Sequence, residues 1–265
     1  MSVIEAFILG LIQGLTEFLP VSSSGHLELG SYFLGVQSED NLLFSILVHG
    51  ATALSTIVIF RKDILNIIQG LFKFQWNEET RFAAMIVLSM IPVGLVGVFL
   101  EDQVEALFGG KILLVGSMLI VTSALLAFTY FNKKHEGEVT FKSAIIIGLA
   151  QAIAILPGIS RSGSTISTAL LLGINKEKAA RFSFLMVLPP IIGAMLLKTK
   201  DLMEAPDLVT NLPILSLVVG FFAAFISGLL ACQWMISIVK KGKLIYFAVY
   251  CGIVGLLAVI GGSLL

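Results

Sequence analysis

Pro157-Gly158-Ile159-Ser160-Arg161-Ser162-Gly163-Ser164-Thr165 sets an arginine and a run of small hydroxyl residues between two apolar segments, Phe141 to Leu156 and Ile166 to Ile174. Of the 265 residues, 57% are hydrophobic and 13% charged, and the mean hydropathy is +0.99. A soluble domain of this size cannot hide that much apolar surface, so the chain reads as an all-α polytopic membrane protein. An arginine at membrane depth costs roughly 2.5 kcal/mol or more, so Arg161 is expected to have an anionic partner or a ligand.

Working outward, six segments have about the 20 apolar residues that a full span needs. They run from Asn41 to Phe60, Arg81 to Leu100, Lys111 to Phe131, Arg181 to Leu197, Pro213 to Val239 and Leu244 to Leu265. Two further apolar stretches are broken in the middle. Val3 to Leu19 stops at Pro20-Val21-Ser22-Ser23-Ser24-Gly25 and resumes at His26 to Leu34; Phe141 to Leu156 stops at the opening motif and resumes at Ile166. Each half is too short to span, and proline with glycine between the halves predicts a re-entrant hairpin buried in protein or lining a wet cavity.

The broken stretches resemble each other. Ala6, Gly10 and Gln13 recur as Ala144, Gly148 and Gln151, all 138 residues on. With the prolines one residue out of step, Ser22-Ser23-Ser24-Gly25 falls on Ser160-Arg161-Ser162-Gly163, and Phe44-Ser45 falls on Phe182-Ser183. The shared offset predicts an internal duplication, residues 1–135 and 136–265, within a single membrane domain. Three full spans separate the hairpins, so the second copy is expected upside down relative to the first, the inverted-repeat plan of many transporters.

Charge placement gives the orientation. On one side lie Arg61, Lys62, Lys73, Arg81, Lys133, Lys134, Lys142, Lys176, Lys178, Arg181, Lys240, Lys241 and Lys243. The other side has Lys111, Lys198 and Lys200 among Glu39, Asp40, Glu101, Asp102, Glu105, Asp201, Glu204 and Asp207. The positive-inside bias puts both termini outside, with the first hairpin dipping in from the outer face and the second from the cytoplasm. Formal net charge is zero, which argues against nucleic acid as a partner. Cys232 and Cys251 lie in apolar segments and read as buried small hydrophobes. The N-terminus lacks the basic leader and cleavage site of a signal peptide.

Chemistry concentrates in the hairpins. Gln13 and Glu17 share one helical face, and a carboxylate there suits a base, an oxygen ligand for a hard cation, or the partner of a buried arginine. One carboxylate with one amide is a thin metal site, so a cation would need substrate phosphate to complete it. Ser22, Ser23, Ser24 and Gly25 precede the second half-helix as cap candidates, and His26 follows on its first turn. His49 reads as packing or support, and His135, in a basic loop, as solvated. In the opening motif Pro157 ends a half-helix, and Gly158 and Gly163 permit a tight turn. Backbone N–H groups at Ser162, Ser164 and Thr165, the helix dipole and the Arg161 fork together suit a phosphate. Ser160 and Ser22 are expected to join that phosphate site. One hairpin thus holds a carboxylate and histidine and the other an arginine, a division that suits one composite site.

Gln13-Gly14-Leu15-Thr16-Glu17-Phe18-Leu19-Pro20-Val21-Ser22-Ser23-Ser24-Gly25-His26, together with Leu156 to Thr165, resembles the undecaprenyl pyrophosphate phosphatase family of bacitracin-resistance type. The resemblance covers essentially the whole chain. It implies removal of the terminal phosphate from undecaprenyl pyrophosphate, recycling the lipid carrier of cell-wall synthesis. It also implies residence in the bacterial inner membrane, a site open to the outer face, and dependence on a divalent cation such as Mg2+ or Ca2+. By motif position Gln13 and Glu17 are the acidic pair, with glutamine where many relatives have glutamate. Ser23 and His26 fall on the catalytic serine and histidine, and Arg161 on the phosphate-binding arginine. A flippase or transporter of a polyprenyl phosphate, using the hairpins as gates, is the alternative. Glycine and alanine along Gly220 to Ala231 permit close helix packing and are compatible with a homodimer.

Overall fold

The computed structural model describes residues 1–36, 38–107, 111–131, 136–204 and 213–264. Lys133, Lys134, His135 and Asp207 lie outside the described residues, as do the side chains of Glu39, Asp40, Glu101, Glu105, Lys198, Asp201 and Glu204. The described residues form helices α1 (Val3–Phe18), α2 (Ser23–Leu34), α3 (Ser38–Ile59), α4 (Arg61–Leu71), α5 (Glu78–Phe99), α6 (Glu101–Glu105) and α7 (Ile112–Thr129). They continue as α8 (Phe141–Ile153), α9 (Arg161–Leu171), α10 (Lys176–Met186), α11 (Leu188–Glu204), α12 (Ile214–Lys241) and α13 (Ile245–Leu264). Among these residues the sole β-type pairing is an isolated bridge between Gly137 and Ile174.

Five helical stretches, Glu78–Phe99, Ile112–Thr129, Lys176–Leu197, Ile214–Lys241 and Ile245–Ser263, are long and apolar enough to cross a membrane. A sixth arises where Leu43–Ile59 continues into Arg61–Leu71 through a 75° bend. The five coincide with expected segments, their ends shifted by a few residues, while the expected Asn41 to Phe60 segment matches only the first arm of the bent pair. They present Val87, Val98, Phe128, Leu230 and Leu257 outward, each more than half exposed, which only a lipid surround tolerates. The protein is therefore a multi-pass membrane protein. The bend itself was not foreseen: the expected span stops at Phe60, whereas the chain continues as helix α4, with Asp63 in its first turn.

Both broken stretches fold as hairpins. Gly30 of α2 packs on Leu9 and Ile12 of α1, so α2 runs back along α1. The second closes more visibly, because Gly137 N–H donates to Gly173 O at 2.9 Å and Asn175 N–H donates to Gly137 O at 2.8 Å. Its two ends therefore lie side by side.

Residues 138 apart carry the same local devices. Ser2 with Glu5, and Thr140 with Ser143, each close a capping box on α1 and α8. Ser22 and Ser160 each cap a second helix by accepting from the amide three residues on, Gly25 and Gly163. Gly10 sits so close to α12 that a Cβ would run into Gly220 O, and Gly148 sits equally close to Ser89 O of α5. Each hairpin thus lies on a long helix from the other half of the chain. Gly220, Ala224 and Gly228, where close helix packing was expected, pack inside the chain against α1 and α3.

Ionic contacts collect at one end of the bundle. Arg181 Nε bonds Asp63 Oδ1 at 2.6 Å, Lys240 Nζ bonds Glu177 Oε1 at 2.7 Å, and Lys178 pairs with Glu138. The guanidinium of Arg181 also lies 4.7 Å from the centre of the Phe82 ring. These pairs join α4, the approach to α8, α10 and α12 on the side where the sequence reading gathered the basic residues.

Candidate active site

The tips of the two hairpins meet inside the bundle. Gly25 of the first approaches Gly158 of the second, and Gly163 of the second approaches Pro20 of the first. Ser162 Oγ donates across the seam to Leu19 O at 3.1 Å. The second tip is braced from α7: Thr122 Oγ1 donates to Gly158 O at 3.2 Å and accepts from Ser160 N–H at 3.0 Å. Gly158 has φ +95 and no space for a Cβ against Val115 O, so the turn needs glycine here on two grounds.

Glu17, in the last turn of α1, is 7% exposed. Its Oε1 pairs with Nη2 of Arg161, the first residue of α9. Its Oε2 accepts from Ser23 Oγ at 2.6 Å and from Gln13 Nε2 at 2.9 Å. A carboxylate buried this deeply is costly unless paired and fully hydrogen-bonded, and here both oxygens are engaged. The anionic partner that Arg161 required is thus Glu17 of the opposite hairpin. Ser23 stands at the start of α2, where the positive end of the helix dipole favours negative charge.

Ser22 fixes this geometry. Its φ of 69° is a left-handed conformation unusual for a non-glycine residue, a kind of strain that costs about 1–3 kcal/mol and gathers at functional sites. In exchange its Oγ accepts from Gly25 N–H at 3.3 Å, while its carbonyl accepts from His26 N–H at 3.1 Å and from His26 Nδ1 at 2.8 Å.

The expected residues do not all converge. His26 points its Nε2 to the Tyr250 hydroxyl of α13 at 2.8 Å, with the rings stacked at 5.6 Å. Among the described residues neither Glu17 nor Ser23 bonds to it. His49 of α3, read as packing or support, brings Nε2 to 4.0 Å from Glu17 Oε2. On the second hairpin, Gly163 N–H is taken by the Ser160 cap at 3.0 Å and Ser164 N–H donates to Ser160 O at 2.8 Å. Those two amides are therefore used inside the helix, and the Arg161 guanidinium reaches across to Glu17. Thr165 Oγ1 donates to Arg161 O at 3.0 Å and braces the turn that carries it. Sequence reasoning missed Thr122 and Tyr250, for which helix phase gives no signal until the neighbouring helix is known.

Among the described residues no three His, Cys, Asp or Glu side chains cluster as metal ligands. Gln13 Oε1 is buried beside Glu17 without a hydrogen-bond partner, an oxygen of the kind a hard cation takes. Glu17 and Gln13 therefore fit a cation only as a partial set, completed by oxygens from elsewhere.

The arrangement sets a carboxylate that accepts from a serine hydroxyl, Glu17 and Ser23, beside a guanidinium of the kind that holds phosphoryl oxygens. Residues 6–257 match the family model described as bacitracin resistance protein BacA. An undecaprenyl-diphosphatase of Bacteroides thetaiotaomicron is 61% identical over 98% of this chain and 99% of its own length. One from Parabacteroides distasonis is 58% identical over 98% of each, and one from Methanobrevibacter smithii is 40% identical over 98% of each. With a match that runs across both hairpins and nearly the full chain, this protein belongs to the BacA family of bacitracin resistance proteins.

Proposed function

We propose that this chain is an undecaprenyl-diphosphate phosphatase, converting undecaprenyl diphosphate to undecaprenyl phosphate and inorganic phosphate. That activity is the one its relatives are named for, and it accounts for bacitracin resistance by returning the lipid carrier to cell-wall synthesis. The observation that carries the reading is the 2.6 Å bond from Ser23 Oγ to Glu17 Oε2, with Arg161 on the other oxygen of the same carboxylate. A nucleophile held on a base, in reach of a phosphate-binding fork, is what hydrolysis needs and a gate does not.

The diphosphate enters between the hairpin tips while the prenyl tail lies along a lipid-facing groove. Its charge competes with Glu17 for the guanidinium, so Arg161 turns to the terminal phosphate and stabilises charge in the transition state. Glu17, no longer neutralised by the guanidinium, takes the proton of Ser23 as Oγ attacks phosphorus. The bridging P–O bond breaks and its electron pair leaves on undecaprenyl phosphate. Water then attacks the phosphoseryl phosphorus, and Ser23 Oγ departs with a proton returned through Glu17. Ser160, Ser162, Ser164, Thr165 and Ser22 shape the turns around the phosphate. Glu17 and Gln13 would hold a divalent cation, Mg2+ or Ca2+, together with diphosphate oxygens, and such a cation neutralises phosphate charge.

The same reading places the protein in the bacterial inner membrane with both termini outside and the site open to the outer face. Support comes from the one-sided collection of basic residues. Residues 1–135 and 136–265 form an inverted repeat. The reading rests on the equivalent caps 138 residues apart and on the exchanged contacts Gly25 to Gly158 and Gly163 to Pro20. The test is phosphate release by purified protein in detergent. Wild type should turn over, and Arg161→Ala should lose about 100-fold or more at saturating substrate, as for loss of a transition-state donor. Near wild-type turnover by that variant, or movement of labelled undecaprenyl phosphate across liposomes without phosphate release, overturns the reading.

A further inference from the structure

Ser23 meets Glu17 from a turn of unfavourable shape. The preceding residue, Ser22, holds φ at 69°, and a side-chain-bearing residue stays in that region only where its surroundings over-determine it. The Ser22 carbonyl is gripped twice, by His26 N–H at 3.1 Å and by His26 Nδ1 at 2.8 Å. A carbonyl only accepts, so Nδ1 carries a hydrogen. In the neutral ring the lone pair then lies on Nε2, and the Tyr250 hydroxyl, 2.8 Å away, donates to it. The two rings stack with 14° between their planes, so the phenol fixes both the tautomer and the tilt of the imidazole. The next residue of α13 holds the same tip, since Cys251 Sγ donates to Pro20 O at 3.5 Å.

Helix α13 is tied in turn to the helix that braces the opposite tip. Ser123 Oγ of α7 donates to Ala248 O at 2.6 Å, and a Cβ on Gly116 of α7 would lie 2.9 Å from Gly255 O of α13. The neighbouring Thr122 holds Gly158 O and Ser160 N–H. One helix pair thus holds both tips, and on the first it acts through a histidine ring.

We infer that Tyr250 is a positioning residue for the phosphatase reaction: through His26 it keeps the Ser22 turn in the shape that delivers Ser23 Oγ to Glu17. The inference rests on the phosphatase reading above. His26 is then a strut between α13 and the turn, because one ring nitrogen donates to Ser22 O and the other is occupied by the phenol. In this arrangement the ring has no lone pair left to take a proton or to attack phosphorus. The effect of Tyr250 is separate from substrate binding. Arg161 holds phosphate from the other hairpin, so loosening the turn misplaces the nucleophile without removing a donor from the diphosphate.

The experiment compares phosphate release by wild type, Tyr250→Phe, His26→Asn and His26→Ala, together with 15N spectra of protein labelled at its three histidines. Tyr250→Phe keeps the ring stack and removes one neutral hydrogen bond, so kcat should fall about three- to tenfold with KM little changed. His26→Asn keeps an N–H donor for Ser22 O and should be faster than His26→Ala. The His26 signals, identified by their loss in His26→Asn, should show Nδ1 protonated and Nε2 accepting a hydrogen bond. In Tyr250→Phe the Nε2 signal should move to that of a free acceptor. Wild-type kcat in Tyr250→Phe overturns the inference, as does a loss confined to KM or one that leaves the Nε2 signal in place. So does an Nε2-protonated tautomer in wild type, or a His26→Asn no faster than His26→Ala, the outcome if the imidazole itself reacts. Failure of wild type to release phosphate would instead overturn the phosphatase reading, on which this one depends.

Discussion

At position 17 the first hairpin carries glutamate where the second, 138 residues on, carries Ile155; at position 23 it carries serine where the second carries Arg161. Gln13 and Gln151 are identical and both buried, yet they behave differently. Gln13 donates to Glu17 at 2.9 Å, whereas both polar atoms of Gln151 lack a partner among the described residues. The difference follows from one position: Ile155 offers nothing to bond where Glu17 offers a carboxylate. His49 shows the same division, since Val187 stands 138 residues on. On the proposed mechanism, two hairpins with equivalent caps, breaks and glycine contacts split one reaction, base and nucleophile on one side and phosphate donor on the other. Neither hairpin holds a complete site.

That comparison can be broken in several ways. The largest expected effect is Glu17→Gln, which keeps size and hydrogen bonding but removes the base and leaves Arg161 without its counter-charge. Turnover should fall about 100- to 10,000-fold, read as phosphate release. Adding the carboxylate to the other hairpin, as Ile155→Glu in the same variant, should restore nothing, because no serine stands opposite it. Recovery of activity there would mean the hairpins are interchangeable.

Glycine contacts test structural equivalence instead. Gly10→Ala and Gly148→Ala each push a methyl into a carbonyl of the helix opposite. Each should lower stability by about 1–3 kcal/mol, the usual cost of overpacking, seen as a lower melting temperature in detergent. A large loss at one position and none at the other would deny that the two hairpins dock alike. The smallest effect concerns the glutamines. Gln151→Leu removes an unpartnered buried amide and should be neutral or stabilising by about 1 kcal/mol with activity retained. Gln13→Leu should reduce turnover, because it takes a hydrogen bond from Glu17. Equal effects on activity would erase the distinction between the halves.

Much of this was legible before any coordinates. Helix breaks show in Pro20 and Pro157, and the duplication shows in Gly10, Gly148 and the serine caps, because turns and close contacts demand particular residue types. Arg161 announces a partner by the cost of its charge in an apolar setting. What stayed hidden depended on which helix lies next to which. His49 looks like any histidine in an apolar span until α3 is set beside α1, and Tyr250 gains meaning only once α13 faces His26. Thr122 braces the second tip from α7, and nothing within its own helix marks it. Of the amides expected to face a phosphate, at Ser162, Ser164 and Thr165, that of Ser164 enters the first helical bond, to Ser160 O, which the sequence alone does not reveal.

The central claim, that Glu17 and Arg161 act as one unit across the two tips, is tested most directly by a double-mutant cycle. Phosphate release is measured as kcat/KM for Glu17→Gln, Arg161→Ala and the double variant. Residues that act as a unit lose their effect together, so the double variant should be about as slow as the slower single one. Losses that multiply would mean that the two hairpins contribute independently and that the composite site is wrong.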